Sequence, residues 1–188
     1  MRICGVDEVG RGSLAGPVAA AAVVLPKDYF NRDVRDSKKL SPKKRALLAA
    51  DIRKNALSIG IGLVCSKIID KIGIAASTKQ AMHISIAQIT AFYNFIIIDA
   101  VKLNNLPVAY IHPFKADDEY FEVACASIVA KVYRDSLLEN LDGLFPNYGF
   151  ARHKGYATKA HYEALKENGV TPFHRLSFLR NFEAEKGV

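Results

Sequence analysis

From Val18 to Leu25 every residue is apolar and the pattern hardly alternates. A strand of that kind needs cover on both faces, so it belongs inside a sheet with other layers above and below it. Arg2 to Glu8 reads as a strand just before it. The Gly10-Arg11-Gly12 turn and the Gly16-Pro17 corner lie between the two, so they can pair as neighbours.

Further on, Ser41 followed by Pro42 predicts a capped helix running to about Asn55. Leu57 to Val64 predicts a strand, and from about Ala75 to Tyr93 apolar residues recur at helical spacing. Phe95 to Ile98 is a short strand that ends abruptly in Asp99, and Val108 to Ile111 is another strand. Glu119 to Leu141 reads as one long helix, with two short helices over Thr158–Glu167 and Arg175–Phe182. The 188 residues fit one domain spanning 1–188: an α/β core over about 1–145 and a helical, basic C-terminal region over about 146–188.

Twenty-six Lys and Arg against nineteen Asp and Glu give a net charge of +7. Such a surplus suits a polyanion, either nucleic acid or an anionic membrane surface. The apolar run from Leu14 to Pro26 is shorter than the roughly 20 residues of a membrane-spanning helix. Asp7, Glu8 and Arg11 interrupt the apolar stretch that a secretory signal would need. The chain is therefore expected to be soluble and cytoplasmic, with no membrane partner. Cys4, Cys65 and Cys125 form no CxxC pair and read as small buried hydrophobes in a reducing compartment.

Acidic residues stand at three separated points. Asp7 and Glu8 lead into the glycine turn; adjacent strand side chains diverge, so the pair can converge only where the strand ends or bends. Asp99 terminates a run expected mid-sheet, where ligands collect at the carboxyl ends of strands, although a polar residue leaving a strand looks the same. Asp117 and Asp118 precede the long helix, where acids also favour the helix dipole. If these groups meet, they offer oxygen ligands to Mg²⁺ or Mn²⁺, and two such ions can promote phosphodiester cleavage.

Basic residues supply the complementary half. Lys38, Lys39, Lys43, Lys44 and Arg45 cluster near the first helix start. Between Phe150 and Arg180 six basic residues, Arg175 among them, face only Glu163 and Glu167. Such patches hold phosphates without reading sequence. Tyr148, His153 and Tyr156 lie among them and could stack on a base or sugar.

These segments resemble the type 2 ribonucleases H, and within them the bacterial ribonuclease HII family, over nearly the whole chain. The resemblance rests on Gly5-Val6-Asp7-Glu8-Val9-Gly10-Arg11-Gly12, Asp36-Ser37-Lys38-Lys39-Leu40, the Asp99 strand end and Ala126 to Asp135. His153-Lys154-Gly155-Tyr156 and His174-Arg175-Leu176-Ser177-Phe178 complete it.

The resemblance implies an RNase H-like fold: a central mixed β-sheet flanked by helices. It implies an endonuclease that cuts the RNA strand of RNA–DNA hybrids and the 5′ side of single ribonucleotides in duplex DNA, leaving 3′-hydroxyl and 5′-phosphate ends. By the same resemblance Asp7, Glu8, Asp99 and Asp117 would be catalytic metal ligands, with Asp117 chosen over Asp118 by its offset from Ser127. Gly10, Arg11 and Gly12 would meet the ribose 2′-hydroxyl, the group that separates RNA from DNA. Tyr156 would stack at the junction, and Ser37, Lys38 and Lys39 would hold phosphates. The implied cofactor is Mg²⁺ or Mn²⁺, two ions during catalysis. The enzyme would act as a monomer, and Phe178 to Phe182 lacks the leading glutamine of a sliding-clamp motif.

Some positions depart from the family pattern: Ala100-Val101 follows Asp99 where a glycine and often an asparagine are expected, Ala116 stands where glycine is expected, and Cys125 where alanine is. Arg11 favours ribonuclease HII over its sister type HIII. A DNA-directed nuclease of the same broad fold would share the acids without needing a 2′-hydroxyl. A non-catalytic binding module would be expected to have lost one of them.

Overall fold

The computed structural model describes residues 1–34 and 40–180. Ser37, Lys38 and Lys39 lie outside the described residues, as do positions 181 and 182 of the helix and clamp segment considered above. Strand β1 is Ile3–Val9, β2 is Val18–Val24, and helix α1 is Pro42–Asn55. Then come β3 (Ser58–Val64), α2 (Ser66–Ile72), α3 (Ile74–Ala87), β4 (Phe95–Ile98) and β5 (Tyr110–Ile111). The chain continues as α4 (Ala116–Glu119), α5 (Phe121–Leu144), α6 (Phe150–His153) and α7 (Lys159–Asn168), followed by a 3-10 turn, Leu176–Phe178.

The five strands form one mixed sheet in the order β3-β2-β1-β4-β5. β1 pairs antiparallel with β2 and β2 antiparallel with β3, while β1–β4 and β4–β5 are parallel. Every residue of β2 is buried, as its unbroken apolar run requires. Val18, Ala20, Ala22 and Val24 face a core shared with Ala81, Met82 and Ile86 of α3. Ala21 and Val23 face the opposite core, built with Leu48, Ala49 and Ile52 of α1 and Cys125, Ile128 and Val129 of α5.

Small residues let the helices sit close. At Gly60 and Gly62 in β3 a side chain would collide with the Ser85 and Ala81 carbonyls of α3; at Gly5 it would strike the Glu122 backbone at the start of α5. The last contact presses the first turns of α5 against β1 beside its acids.

Several boundaries differ from the sequence reading. The helical segment after β3 is two helices, α2 and α3, hinged at Gly73 with φ 80°, and it stops at Ala87. At seven residues α2 is too short for its periodicity to register. The long helix before the C-terminal region is interrupted at Tyr120, whose extended backbone (φ −117°, ψ 119°) separates α4 from α5. β5 has shrunk to two residues. Cys4 and Cys125 are buried free thiols as expected, but Cys65 is exposed at the start of α2, where its side chain makes no cap. No helix among the described residues is long and apolar enough to cross a membrane.

Candidate active site

Parallel pairing of β1 with β4 sets the site. Val6 lies opposite Ile98, and the Asp99 amide donates to the Val6 carbonyl at 3.0 Å. Asp7 and Asp99 are thus the next residues along two adjacent strands. Among the described residues, Asp7, Glu8 and Asp99 each bring one carboxylate oxygen within 4.8 Å of the other two.

The adjacent pair does not converge by the strand ending there. β1 continues to Val9, with Glu8 opposite Ala20 and Val9 opposite Ala19. Instead Asp7 Oδ1 turns back to accept the Glu8 amide at 2.7 Å, and the longer Glu8 side chain reaches the same edge. Asp99 Oδ1 accepts the Ala116 amide at 2.8 Å, which ties the end of β4 to the start of α4. Asp117 follows Ala116 directly and is buried, but its carboxylate is not one of the converging three.

The site's electrostatics favour a cation. Burial, then the charge of Glu8, raises the Asp7 pKa well above the ordinary carboxylate range, against a hydrogen bond from Ser127. Burial also raises the Glu8 pKa, opposed chiefly by Arg11, whose Nη1 lies 3.3 Å from Glu8 Oε1. Glu8 Oε2 is buried with no hydrogen-bond partner. Crowded oxygens with an unsatisfied member are a donor set suited to a hard divalent cation.

Both alanines at glycine-favoured positions now have a physical context. Ala100 is in the left-handed region at φ 49°, where an L side chain is strained and glycine is not. Ala116 is fully buried and supplies the amide that holds Asp99.

The glycine turn divides into two roles. Gly10 has φ 89°, and a side chain there would collide with the guanidinium of Arg134. A side chain at Gly12 would meet nothing within 4 Å, so that backbone faces open space. Beneath the turn lie two completely buried arginines. Arg134 donates to Pro17 O, Lys154 O, Ala15 O and Ser13 Oγ at 2.8–3.0 Å. Arg175 donates to Gly16 O at 3.0 Å and Arg11 O at 2.9 Å. They brace the chain from Arg11 to Pro17 through its carbonyls.

By sequence Arg175 belongs with the phosphate-binding residues; buried, with Nε and Nη1 on carbonyls and Nη2 without a hydrogen-bond partner, it does not present its charge at the surface. Arg45 is buried too. Tyr148 and His153 likewise leave the list of possible stacking groups. Tyr148 lies against Phe150 at 5.4 Å in a buried cluster, and the His153 ring is stacked on His161 at 4.2 Å. Tyr156 is half-buried with Lys131 Nζ and Arg134 Cζ each 5.4 Å from its ring centre. The signal for Arg134 was present in the chain: Val123, Ser127, Ala130, Arg134, Leu138 and Leu141 recur at helical spacing, and all are buried.

A mixed sheet with helices on both faces and acids at the carboxyl ends of adjacent parallel strands defines a metal-dependent nuclease of the RNase H-like class. The chain belongs to the ribonuclease HII family, whose model, Ribonuclease HII, matches residues 4–181. It is 47% identical to ribonuclease HII of Ruminiclostridium cellulolyticum over 96% of this chain and 71% of that protein. Against ribonuclease HII of Acetivibrio thermocellus the identity is 46%, covering 96% and 70%. Among solved structures, ribonuclease H2 from Pyrococcus horikoshii superposes with a TM-score of 0.83 at 25% identity, covering 98% of both chains. Bst-RNase HIII in complex with Mn²⁺ matches with a TM-score of 0.77 at 18% identity over 99% of this chain and 70% of that one, a likeness of fold. The protein is an endoribonuclease acting on RNA–DNA hybrids, and its family depends on a divalent metal.

Proposed function

We propose that this enzyme, besides cutting RNA in hybrids, cleaves on the 5′ side of single ribonucleotides embedded in duplex DNA, leaving 3′-hydroxyl and 5′-phosphate ends. The observation that carries the reading is the meeting of Asp7, Glu8 and Asp99 within 4.8 Å around a buried, unpartnered Glu8 oxygen. In this reading Asp7, Glu8, Asp99 and Asp117 hold two Mg²⁺ or Mn²⁺ ions. Ions bound there would supply an acidified water and charge stabilisation for the leaving oxygen.

The protein's own contribution is placement. The Ser127 hydrogen bond and the Glu8 amide orient Asp7, and the Ala116 amide orients Asp99. Gly12 offers open backbone to a ribose 2′-hydroxyl, which DNA lacks. Tyr156, flanked by Lys131 and Arg134, stacks at the junction, while Ser37, Lys38 and Lys39 hold phosphates along with Gly10 and Arg11 at the turn. The enzyme works as a cytoplasmic monomer.

The test is a labelled DNA duplex carrying one ribonucleotide, incubated with Mg²⁺, with Mn²⁺ and with chelator, beside an all-DNA duplex. Metal-dependent cutting 5′ to the ribonucleotide, with the DNA intact, is the expected result. Equal cutting of both duplexes, or none with either metal, would overturn the reading.

A further inference from the structure

Three buried or half-buried histidines stand behind Tyr156, and their hydrogen bonds define which ring nitrogen carries each proton. The Thr171 amide donates to His174 Nδ1 at 2.8 Å, so that nitrogen is an acceptor and the His174 proton sits on Nε2. His174 Nε2 lies 3.0 Å from His161 Nε2, which must therefore accept. His161 is left with its proton on Nδ1, 2.9 Å from the Tyr156 carbonyl. The chain of bonds runs one way, from Thr171 through both rings to Tyr156. His153 is fixed as well, accepting the Gly155 amide on Nδ1 at 3.1 Å and donating from Nε2 to Tyr148 O at 2.8 Å.

This chain joins the two sides of the candidate nucleic-acid surface. Tyr156 forms a β-bridge with Ser13, and His174 forms one with Ala15. Ser13 and Ala15 directly follow the Gly10-Arg11-Gly12 turn. The Gly155 carbonyl accepts the Leu14 amide at 2.8 Å, and a side chain at Gly155 would press against the Ala15 carbonyl. The two rings that bridge Thr171 to Tyr156 thus connect both points at which the C-terminal region meets the segment after the glycine turn, and the Tyr156 carbonyl also accepts the Thr158 amide at 2.9 Å.

We propose that His161 and His174 are positioning residues that hold Tyr156 in register with the Gly10-Arg11-Gly12 turn, and so set selectivity for a lone ribonucleotide in duplex DNA. The proposal rests on the reading that Tyr156 meets the junction. Long hybrids offer many binding registers, whereas a single ribonucleotide must be found at one place, so a displaced Tyr156 penalises the second substrate more. The arrangement also requires both rings neutral, because only one proton fits between facing nitrogens 3.0 Å apart and the Thr171 amide leaves no room for a proton on His174 Nδ1.

Two near-isosteric variants separate this role from simple packing. In His161→Asn the amide nitrogen takes the place of Nδ1 and keeps the bond to Tyr156 O. In His161→Gln the amide reaches toward His174 and the Tyr156 carbonyl loses its ring donor. Steady-state cleavage of the single-ribonucleotide duplex and of a continuous RNA–DNA hybrid is compared, together with Tyr156→Ala. His161→Gln is expected to raise KM on the single-ribonucleotide duplex about tenfold relative to the hybrid, the scale of one lost hydrogen bond, while His161→Asn keeps the parental ratio. Equal ratios in the two variants would overturn the proposal. If Tyr156→Ala shifts the ratio and His161→Gln does not, the relay fails while the reading of Tyr156 stands. If Tyr156→Ala leaves the ratio unchanged, both fall. Long-range ¹H–¹⁵N spectra of the parent protein give an independent reading: a His161 proton on Nε2 instead of Nδ1 at neutral pH would also overturn it.

Discussion

Asp99 stands beside Asp7 because the Asp99 amide continues the parallel ladder on to the Val6 carbonyl, 3.0 Å away. Residues 92 positions apart thereby place their carboxylates at one sheet edge, close enough to Glu8 for the three to share a cation. Held that close and partly buried, the acids repel one another until a cation or a proton intervenes.

Asp7→Asn should therefore lower cleavage by more than about 100-fold, beyond what losing a mere supporting contact to a metal ligand costs. Hybrid binding should persist, since the basic face is untouched. In chelator the variant should melt at least as high as the parent, because a buried repulsive charge has gone. Added Mn²⁺ should raise the melting temperature of the parent more than that of the variant. Thermal melts and hybrid-binding titrations check each part; a collapse of binding along with activity would make Asp7 structural.

Gly10 and Gly12 should respond differently to alanine. Gly10→Ala meets Arg134 and a positive φ, so its unfolding free energy should fall by about 2 kcal/mol or more. Gly12→Ala has free space and should stay within about 0.5 kcal/mol of the parent while KM for the hybrid rises. Urea denaturation beside steady-state cleavage distinguishes the two.

Ala100→Gly should stabilise the protein. The left-handed conformation at φ 49° costs an alanine roughly 1–2 kcal/mol, and the greater freedom of unfolded glycine returns part of that. A net gain of up to about 1 kcal/mol in urea denaturation is expected. No gain would show that the loop after Asp99 is not held by this strain.

Acid should weaken the fold through the histidine pair. Burial, foremost, lowers the pKa of His161 and of His174 from 6.5 to about 4; the nearby His153 adds to the lowering at both, and His161 adds to it at His174. The neutral form is therefore favoured in the fold. The stabilisation is complete above the unfolded value near 6.5 and is lost as pH falls toward 4. By pH 5 each histidine should cost roughly 2 kcal/mol relative to pH 7.5. Urea midpoints across that range, compared with His161→Asn, should show a shallower acid slope in the variant; identical slopes would exclude the pair as its source.

Much of the framework is local and so was readable from the chain. The unbroken apolar run specifies β2 as a two-sided strand, Ser41-Pro42 specifies the start of α1, and the Asp7-Glu8 pair before glycines marks a candidate site. The family motifs add Asp99 and Tyr156 by position. Tertiary structure decided the rest, because it depends on contacts between residues far apart in sequence. The β1–β4 register sets Asp99 next to Asp7, and only the fold shows that Glu8 leaves one oxygen unsatisfied. Arg134 and Arg175 carry the same charge as the exposed lysines around them, yet burial against main-chain carbonyls makes them braces for the glycine turn. Three histidines scattered over 22 residues are indistinguishable in sequence from surface groups. Packing alone gives each ring its tautomer, since a proton's place on imidazole follows from the partner that the fold brings to its other nitrogen.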